Sequence, residues 1–277
     1  MTRGSCRRRW PSELTEVTRE FGREAFGADP LGYADARPGY PEQIWDTLRL
    51  RCGLESALVL EIGPGPGTAT GPLLKTGSSV VTVEPDQRLA AFLVTRFSSP
   101  RLSVINAPFE TAPIPQTDFD VACAFTAFHW LDSKPALARV RALLRPDGWW
   151  APCWNVFGDS DRPDPFHEAT RTLLKPAETF MLGGAPSATP DPHDVGKWVA
   201  EFGAAGFAEI KVERVAWTLR LDSQGVRALY GTFSNIIALG PSERARVLDG
   251  LVDIAEREFG GRVTRNMVTV LYTARRT

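Results

Sequence analysis

Between residues 57 and 155 the chain alternates short apolar runs with helix-patterned segments, and this alternation narrows its architecture more than any other feature. The strand-like runs are Ala57–Ile62, Val80–Glu84, Leu102–Asn106, Asp120–Phe125 and Trp149–Asn155. Between them, Thr68–Thr76, Gln87–Ser98 and Lys134–Leu144 carry helical spacing. Runs rich in Val, Leu and Ile suit strands buried on both faces, as in a parallel sheet covered by helices on each side. The pattern predicts an α/β fold with a doubly wound, Rossmann-like sheet.

Flanking segments read less regularly. Residues 1–11 contain Arg7-Arg8-Arg9 with no apolar stretch behind them, which describes a flexible leader or an over-long translation start rather than a secretion signal. Leu14, Val17, Phe21 and Phe26 recur at helical intervals behind Ser12 as N-cap, a glycine- and proline-punctuated stretch follows from Gly27 to Pro41, and Glu42–Cys52 reads as a helix. Residues 156–193 are proline-rich and look like an insertion above the sheet. Beyond them the pattern predicts helices near Asp194–Ala205, Ser223–Ala238 and Pro241–Phe259, and strands at Ile210–Leu219 and Met267–Ala274.

Composition removes several classes of function. Lys and Arg (32) balance Asp and Glu (33) over 277 residues, which argues against a dedicated nucleic-acid binder. No apolar run approaches the roughly 18 residues of a membrane span. Cys6, Cys52, Cys123 and Cys153 are scattered without a CxxC pair, as in a cytoplasmic protein with reduced thiols. His129, His167 and His193 lack metal-ligand spacing, and His167-Glu168 is followed by no second histidine at Arg171 or Thr172, so no metal is expected.

The sharpest motif joins the first strand to its helix: Glu61-Ile62-Gly63-Pro64-Gly65-Pro66-Gly67. Glycines here permit a tight turn and close approach of a ligand to the backbone. Their GxGxG spacing differs from the GxGxxG of dinucleotide binders, and Glu61 in front would repel a pyrophosphate but attract an ammonium group. At the end of the second strand Glu84 is placed to accept both hydroxyls of a ribose. Each feature alone has a bland reading, a tight turn or a solvated charge; together they point to an adenosine-containing ligand with an amino group.

These residues resemble the class I S-adenosylmethionine-dependent methyltransferases, and most closely the small-molecule branch with trans-aconitate and quinone-biosynthesis-like enzymes. Asn106–Glu110 is similar to the adenine-bracketing segment, with Asn106 where the family usually has Asp. Phe128-His129-Trp130 after the fourth strand, and Tyr33-x-x-x-Arg37-Pro38-Gly39-Tyr40-Pro41 in the N-terminal lid, resemble signatures of the same branch. The resemblance implies a seven-stranded methyltransferase sheet with an antiparallel last strand. It divides the chain into a lid over 12–56, a cofactor-binding core over 57–155, a cap over 156–193 and a C-terminal part over 194–277. It also implies S-adenosylmethionine as cofactor, with Glu61, Gly63, Gly65, Gly67, Glu84, Asn106, Ala107 and Phe125 around it.

A sulfonium methyl donor is already activated, so the expected work of the protein is to align donor and acceptor for in-line displacement and to exclude water. His129 is a candidate base or acceptor contact, or else a buttress for Trp130; Arg37 is a candidate for pairing with a carboxylate of the substrate or of the donor. Tyr33, Tyr40, Trp130 and Trp154 are candidate acceptor contacts, and the tryptophans Trp149, Trp150 and Trp154 suit either core packing or an aromatic pocket. The expected partner is a small organic acceptor, with the chain a monomer or homodimer. A non-catalytic cofactor-binding regulator and an NAD-dependent oxidoreductase are the alternative readings.

Overall fold

The computed structural model describes residue 21, residues 25–181 and residues 191–277. The leader and most of the helix expected from Ser12 lie outside the described residues; their end, Phe26–Ala28, is one turn of 3-10 helix. Seven strands form a single sheet in the order β3-β2-β1-β4-β5-β7-β6. They are β1 Leu58–Ile62, β2 Ser79–Glu84, β3 Leu102–Asn106, β4 Phe119–Phe125, β5 Leu144–Phe157, β6 Phe207–Asp222 and β7 Arg262–Arg276. The first five pair in parallel, whereas β7 runs antiparallel between β5 and β6. The expected antiparallel last strand is therefore present.

Ten helices complete the described chain: α1 Pro30–Ala36, α2 Glu42–Cys52, α3 Thr70–Lys75, α4 Gln87–Arg96, α5 Ser133–Leu143, α6 Pro165–Met181, α7 Val195–Ala204, α8 Ser223–Gly231, α9 Ser234–Ile237 and α10 Pro241–Phe259. Two of them correct the sequence reading. The Gly27–Pro41 stretch contains α1, because Asp29 caps it by accepting the Gly32 N–H at 3.0 Å and Pro30 occupies the first turn, where no N–H is needed. The insertion is likewise opened by a 17-residue helix, α6, whose entry is fixed by the Asp164 carboxylate accepting the His167 N–H at 2.8 Å. Proline at a helix start reads like punctuation in a sequence and like a first turn in a structure. The helix expected over 223–238 is broken into α8 and α9 around Thr232 and Phe233.

Consecutive strand residues serve opposite faces. Leu60, Val81, Ala122 and Ala124 pack with α5 and α7, while Val59, Val80, Val121 and Cys123 pack with α2 and α3. Each such Val or Leu contributes on the order of 1.5–3 kcal/mol when fully buried. A third apolar cluster forms where Phe166 of α6 meets Val226 and Tyr230 of α8, Val247 and Leu251 of α10 and Val263 of β7. No helix among the described residues is long and apolar enough to cross a membrane. The described cysteines, Cys52, Cys123 and Cys153, are buried and free.

Candidate functional site

Because β1 and β2 pair in register, with Ile62 opposite Val83, the loop after β1 and the end of β2 meet at one edge of the sheet. Gly63, Gly65 and Gly67 all take positive φ, at 64°, 56° and 89°. The three glycines are needed for different reasons. A Cβ on Gly67 would lie 2.3 Å from the Phe97 ring, whereas a Cβ on Gly65 would meet nothing nearer than Tyr33 at 3.7 Å. Gly67 thus serves packing, and Gly65 leaves open space beside the backbone. That space belongs to a cavity of about 460 Å³ lined by Gly63 and Gly65 but not by Gly67.

Glu61 is 1% exposed, with Oε2 accepting the Thr70 hydroxyl at 2.6 Å and Oε1 buried without any partner. Burial pushes its carboxyl up to about 8, against the pull of the Thr70 bond, with Glu84 nearby adding to the rise. Glu84 lines the cavity, and its oxygens accept the backbone N–H of Gly65 and of Asp86, each at 3.0 Å. Burial raises it to about 7, while those two N–H groups oppose the rise. An orphaned carboxylate oxygen is costly unless a donor completes it. A ligand ammonium at Glu61 and ribose hydroxyls at Glu84 fit both acids, and S-adenosylmethionine carries both groups.

Of the expected adenine contacts, the structure places Asn106 and Ala107 outside the cavity lining. The Asn106 side chain is exposed and donates to the carbonyls of Glu84 and Pro85 at 2.9 and 3.2 Å, lacing β3 to the end of β2. Phe109, in the same segment, does line the cavity, with Arg139 over its ring at 5.4 Å. Phe125 does line the cavity, stacked on Trp45 at 5.2 Å.

Much of the remaining cavity lining is aromatic. Tyr33 and Tyr40 of the N-terminal segment, Trp130 and Trp154 all line it, and so do Phe157 and, with no sequence signal behind it, Phe233. Trp154 is also core, 2% exposed and packed on Trp198 at 5.3 Å, so it belongs to both the core and the cavity wall. Trp150 and Phe166 are wholly buried away from the cavity, and Glu168 is exposed.

Arg37 lies among three rings, with its guanidinium carbon 4.9 Å from Phe233, 5.3 Å from Tyr33 and 5.5 Å from Phe157. It donates to the Thr232 carbonyl at 2.9 Å, tying the segment after α1 to the α8–α9 junction, while its Nε is buried without a partner. His129 accepts the Trp154 indole N–H on Nδ1 at 3.3 Å. The ring is therefore neutral with its proton on Nε2. Desolvation by the cavity walls, with Arg37 near, lowers its pKa to about 4. Among the described residues, no group of three or more His, Cys, Asp or Glu could hold a metal ion.

Comparison with known proteins agrees with this geometry. A family model described as a methyltransferase domain matches residues 60–151, from β1 into β5. An uncharacterized methyltransferase of Schizosaccharomyces pombe is 25% identical over 256 residues, 90% of this chain and 96% of its own length. An uncharacterized methyltransferase of Mycobacterium tuberculosis is 30% identical over 132 residues, which span 48% of this chain and about half, 52%, of that relative. Two solved structures share the fold. Phosphoethanolamine N-methyltransferase 2 of Haemonchus contortus, in complex with S-adenosyl-L-methionine, superposes with a TM-score of 0.58 at 14% identity, over 96% of this chain and 61% of that one. The YcgJ protein of Bacillus subtilis gives 0.54 at 14% identity, over 85% and 99%.

Proposed function

We propose that this chain, which belongs to the class I S-adenosylmethionine-dependent methyltransferases, transfers the donor's methyl group to a small acceptor with a hydrophobic or aromatic body. The observation that carries the placement of the donor is the buried, unpartnered Oε1 of Glu61, which does not itself line the cavity but directly precedes Ile62 and Gly63, which do. Glu61 receives the amino group, Gly65 lets the backbone approach while Gly63 makes room for the Ala127 side chain, and Glu84 takes the ribose hydroxyls. Bound there, S-adenosylmethionine supplies a methyl group already activated by its sulfonium sulfur.

The chain's own residues then have two tasks. Tyr33, Trp130, Trp154, Phe157 and Phe233 offer an apolar wall that holds a planar acceptor and keeps water out. Arg37 and the Nε2–H of His129 offer hydrogen bonds to the acceptor's polar end, or Arg37 to the donor's carboxylate. With Nδ1 engaged by Trp154, His129 serves this reading as a donor contact rather than a base. The balanced charge and the free, buried thiols favour a small-molecule acceptor over a nucleic acid, and a cytoplasmic enzyme acting as monomer or homodimer.

Thermal unfolding with S-adenosylhomocysteine tests the donor site, with NADH as control. A ligand at about 100 times its dissociation constant adds ~2.7 kcal/mol and moves the midpoint by several degrees. A shift with S-adenosylhomocysteine alone is expected; a shift with NADH alone, or with neither, overturns the placement of the donor. Trp154→Phe, tested against a panel of planar acceptors, should raise acceptor KM while leaving donor affinity intact.

A further inference from the structure

Facing the glycine loop, one wall of the cavity is the lid segment Arg37–Tyr40, and its position depends on a residue that the reaction does not otherwise use. Asn155, near the end of β5, is 9% exposed. Its Nδ2 donates to the carbonyls of Gly39 and Pro38 at 3.0 and 3.4 Å, and its Oδ1 accepts the Thr269 hydroxyl at 2.6 Å. Its backbone N–H donates to Oγ1 of Thr126 at 3.3 Å, and the same hydroxyl meets the Tyr40 phenol at 2.9 Å. Thr126 itself sits at a φ of 53°, where only a well-anchored non-glycine residue persists. Asn155 therefore meets the lid twice, by its side chain at Pro38–Gly39 and through Thr126 at Tyr40.

The direction of the amide follows from what its neighbours are able to do. A carboxamide has nearly the same shape either way round, so its partners decide which end faces where. The Trp217 indole on β6 has one N–H and nothing to accept with, and it donates to Oγ1 of Thr269 at 2.9 Å. The Thr269 hydroxyl then has its own proton to give, and Asn155 must meet it with Oδ1. Only its NH2 is left for the two lid carbonyls. Donors thus run one way across three strands, from Trp217 on β6 through Thr269 on β7 and Asn155 on β5 to the lid.

We infer that Asn155 is a positioning residue that latches Arg37–Tyr40 shut over the donor cavity, and that Trp217, acting through Thr269, sets the direction of the latch. The consequence for ligand binding rests on the placement of the donor argued above; the latch itself does not.

The test is local hydrogen exchange of the full chain without ligand, together with the dissociation rate of S-adenosylhomocysteine. Asn155→Asp keeps the size and the acceptor for Thr269 but turns an oxygen toward the lid carbonyls. Exchange in peptides covering residues 37–41 should rise about tenfold, as for a lost hydrogen bond of usual strength. S-adenosylhomocysteine should leave at least about five times faster on the same grounds, while exchange in β4 stays as in the parent. Trp217→Phe should loosen the same peptides to a smaller degree. Unchanged lid exchange in Asn155→Asp, or a rise spread evenly over the sheet, overturns the latch. Parent-like lid exchange in Trp217→Phe overturns the directional part. If Asn155→Asp does not fold, Asn155→Ala takes the same measurement. Failure of the parent chain to bind S-adenosylhomocysteine would count against the donor site, and lid exchange would still decide the latch.

Discussion

The indole N–H of Trp154 points at Nδ1 of His129, 3.3 Å away, and this one contact fixes the imidazole as a neutral donor facing the cavity. A histidine poised as a general base would titrate near neutrality; here burial holds the pKa at about 4. An NMR titration should show His129 without a transition between pH 5 and 8. A midpoint near the ordinary value of about 6.5 would contradict the geometry. The sign for stability follows. Between those two values the unfolded chain binds the proton that the folded one refuses, so this residue's contribution falls as pH drops from about 6.5 toward 4. Trp154→Phe, which keeps a ring but removes the donor, should let the His129 pKa move back up.

Donor binding should release protons. Glu61 and Glu84 are raised to about 8 and 7 in the free chain, and an ammonium and ribose hydroxyls both favour the ionised carboxylates. Calorimetry of S-adenosylhomocysteine binding at neutral pH, in buffers of different ionisation enthalpy, should therefore show net release on the order of one proton. Affinity should rise with pH across that range. Glu61→Gln should abolish most of the release, and Glu84→Ala should weaken binding by about 1–3 kcal/mol, the usual scale for a lost charged hydrogen bond.

The glycines should separate by function. Gly67→Ala places a Cβ 2.3 Å from Phe97 at a φ of 89°, and the clash and strain together should cost about 3 kcal/mol of stability. Gly65→Ala meets no atom closer than 3.7 Å and should cost about 1 kcal/mol, from its positive φ alone. Its methyl would nonetheless project beside the donor. Thermal unfolding should pick out Gly67→Ala, and S-adenosylhomocysteine binding should pick out Gly65→Ala.

A buried ion pair anchors the start of α6 to β7. Arg265 and Asp164, 2% and 3% exposed, meet at 3.0 Å between β7 and the start of α6, and the Tyr230 hydroxyl also accepts from Arg265. Asp164→Ala leaves an uncompensated buried charge and removes the helix cap. It should destabilise by about 3–5 kcal/mol, whereas Asp164→Leu combined with Arg265→Met should lose much less. Equal losses by denaturant unfolding would rule out the charge as the cause.

The core was legible because its signals are local. Val59–Ile62 and Val80–Glu84 declare buried parallel strands by composition alone, and Glu61, the glycines and Glu84 sit at fixed offsets from them. What escaped the sequence depends on distant partners. Asn106 also laces β3 to the end of β2 through its amide, which the carbonyls of Glu84 and Pro85 accept, a task no motif announces. Asn155, Thr126 and Phe233 carry no motif, since their roles arise only when β5, the lid and the α8–α9 junction meet. Pro165 and Pro30 hid two helices because the same residue type both ends and begins them.

The placement of β7 between β5 and β6 leaves β6, 16 residues long, as one of the two outer strands of the sheet, opposite β3. Such a border is a template on which further strands can stack, and a concentrated solution offers them freely. Here it is spoiled twice: Glu209, at a φ of 48°, marks a slip in register between Ala208 and Lys211, and the exposed side chains of Lys211, Arg214 and Arg220 crowd the approach with positive charge. Resistance to edge-to-edge stacking along β6 therefore rests on a handful of rim residues that do not line the cavity, and replacing those three cations with valines would make this border prone to strand addition.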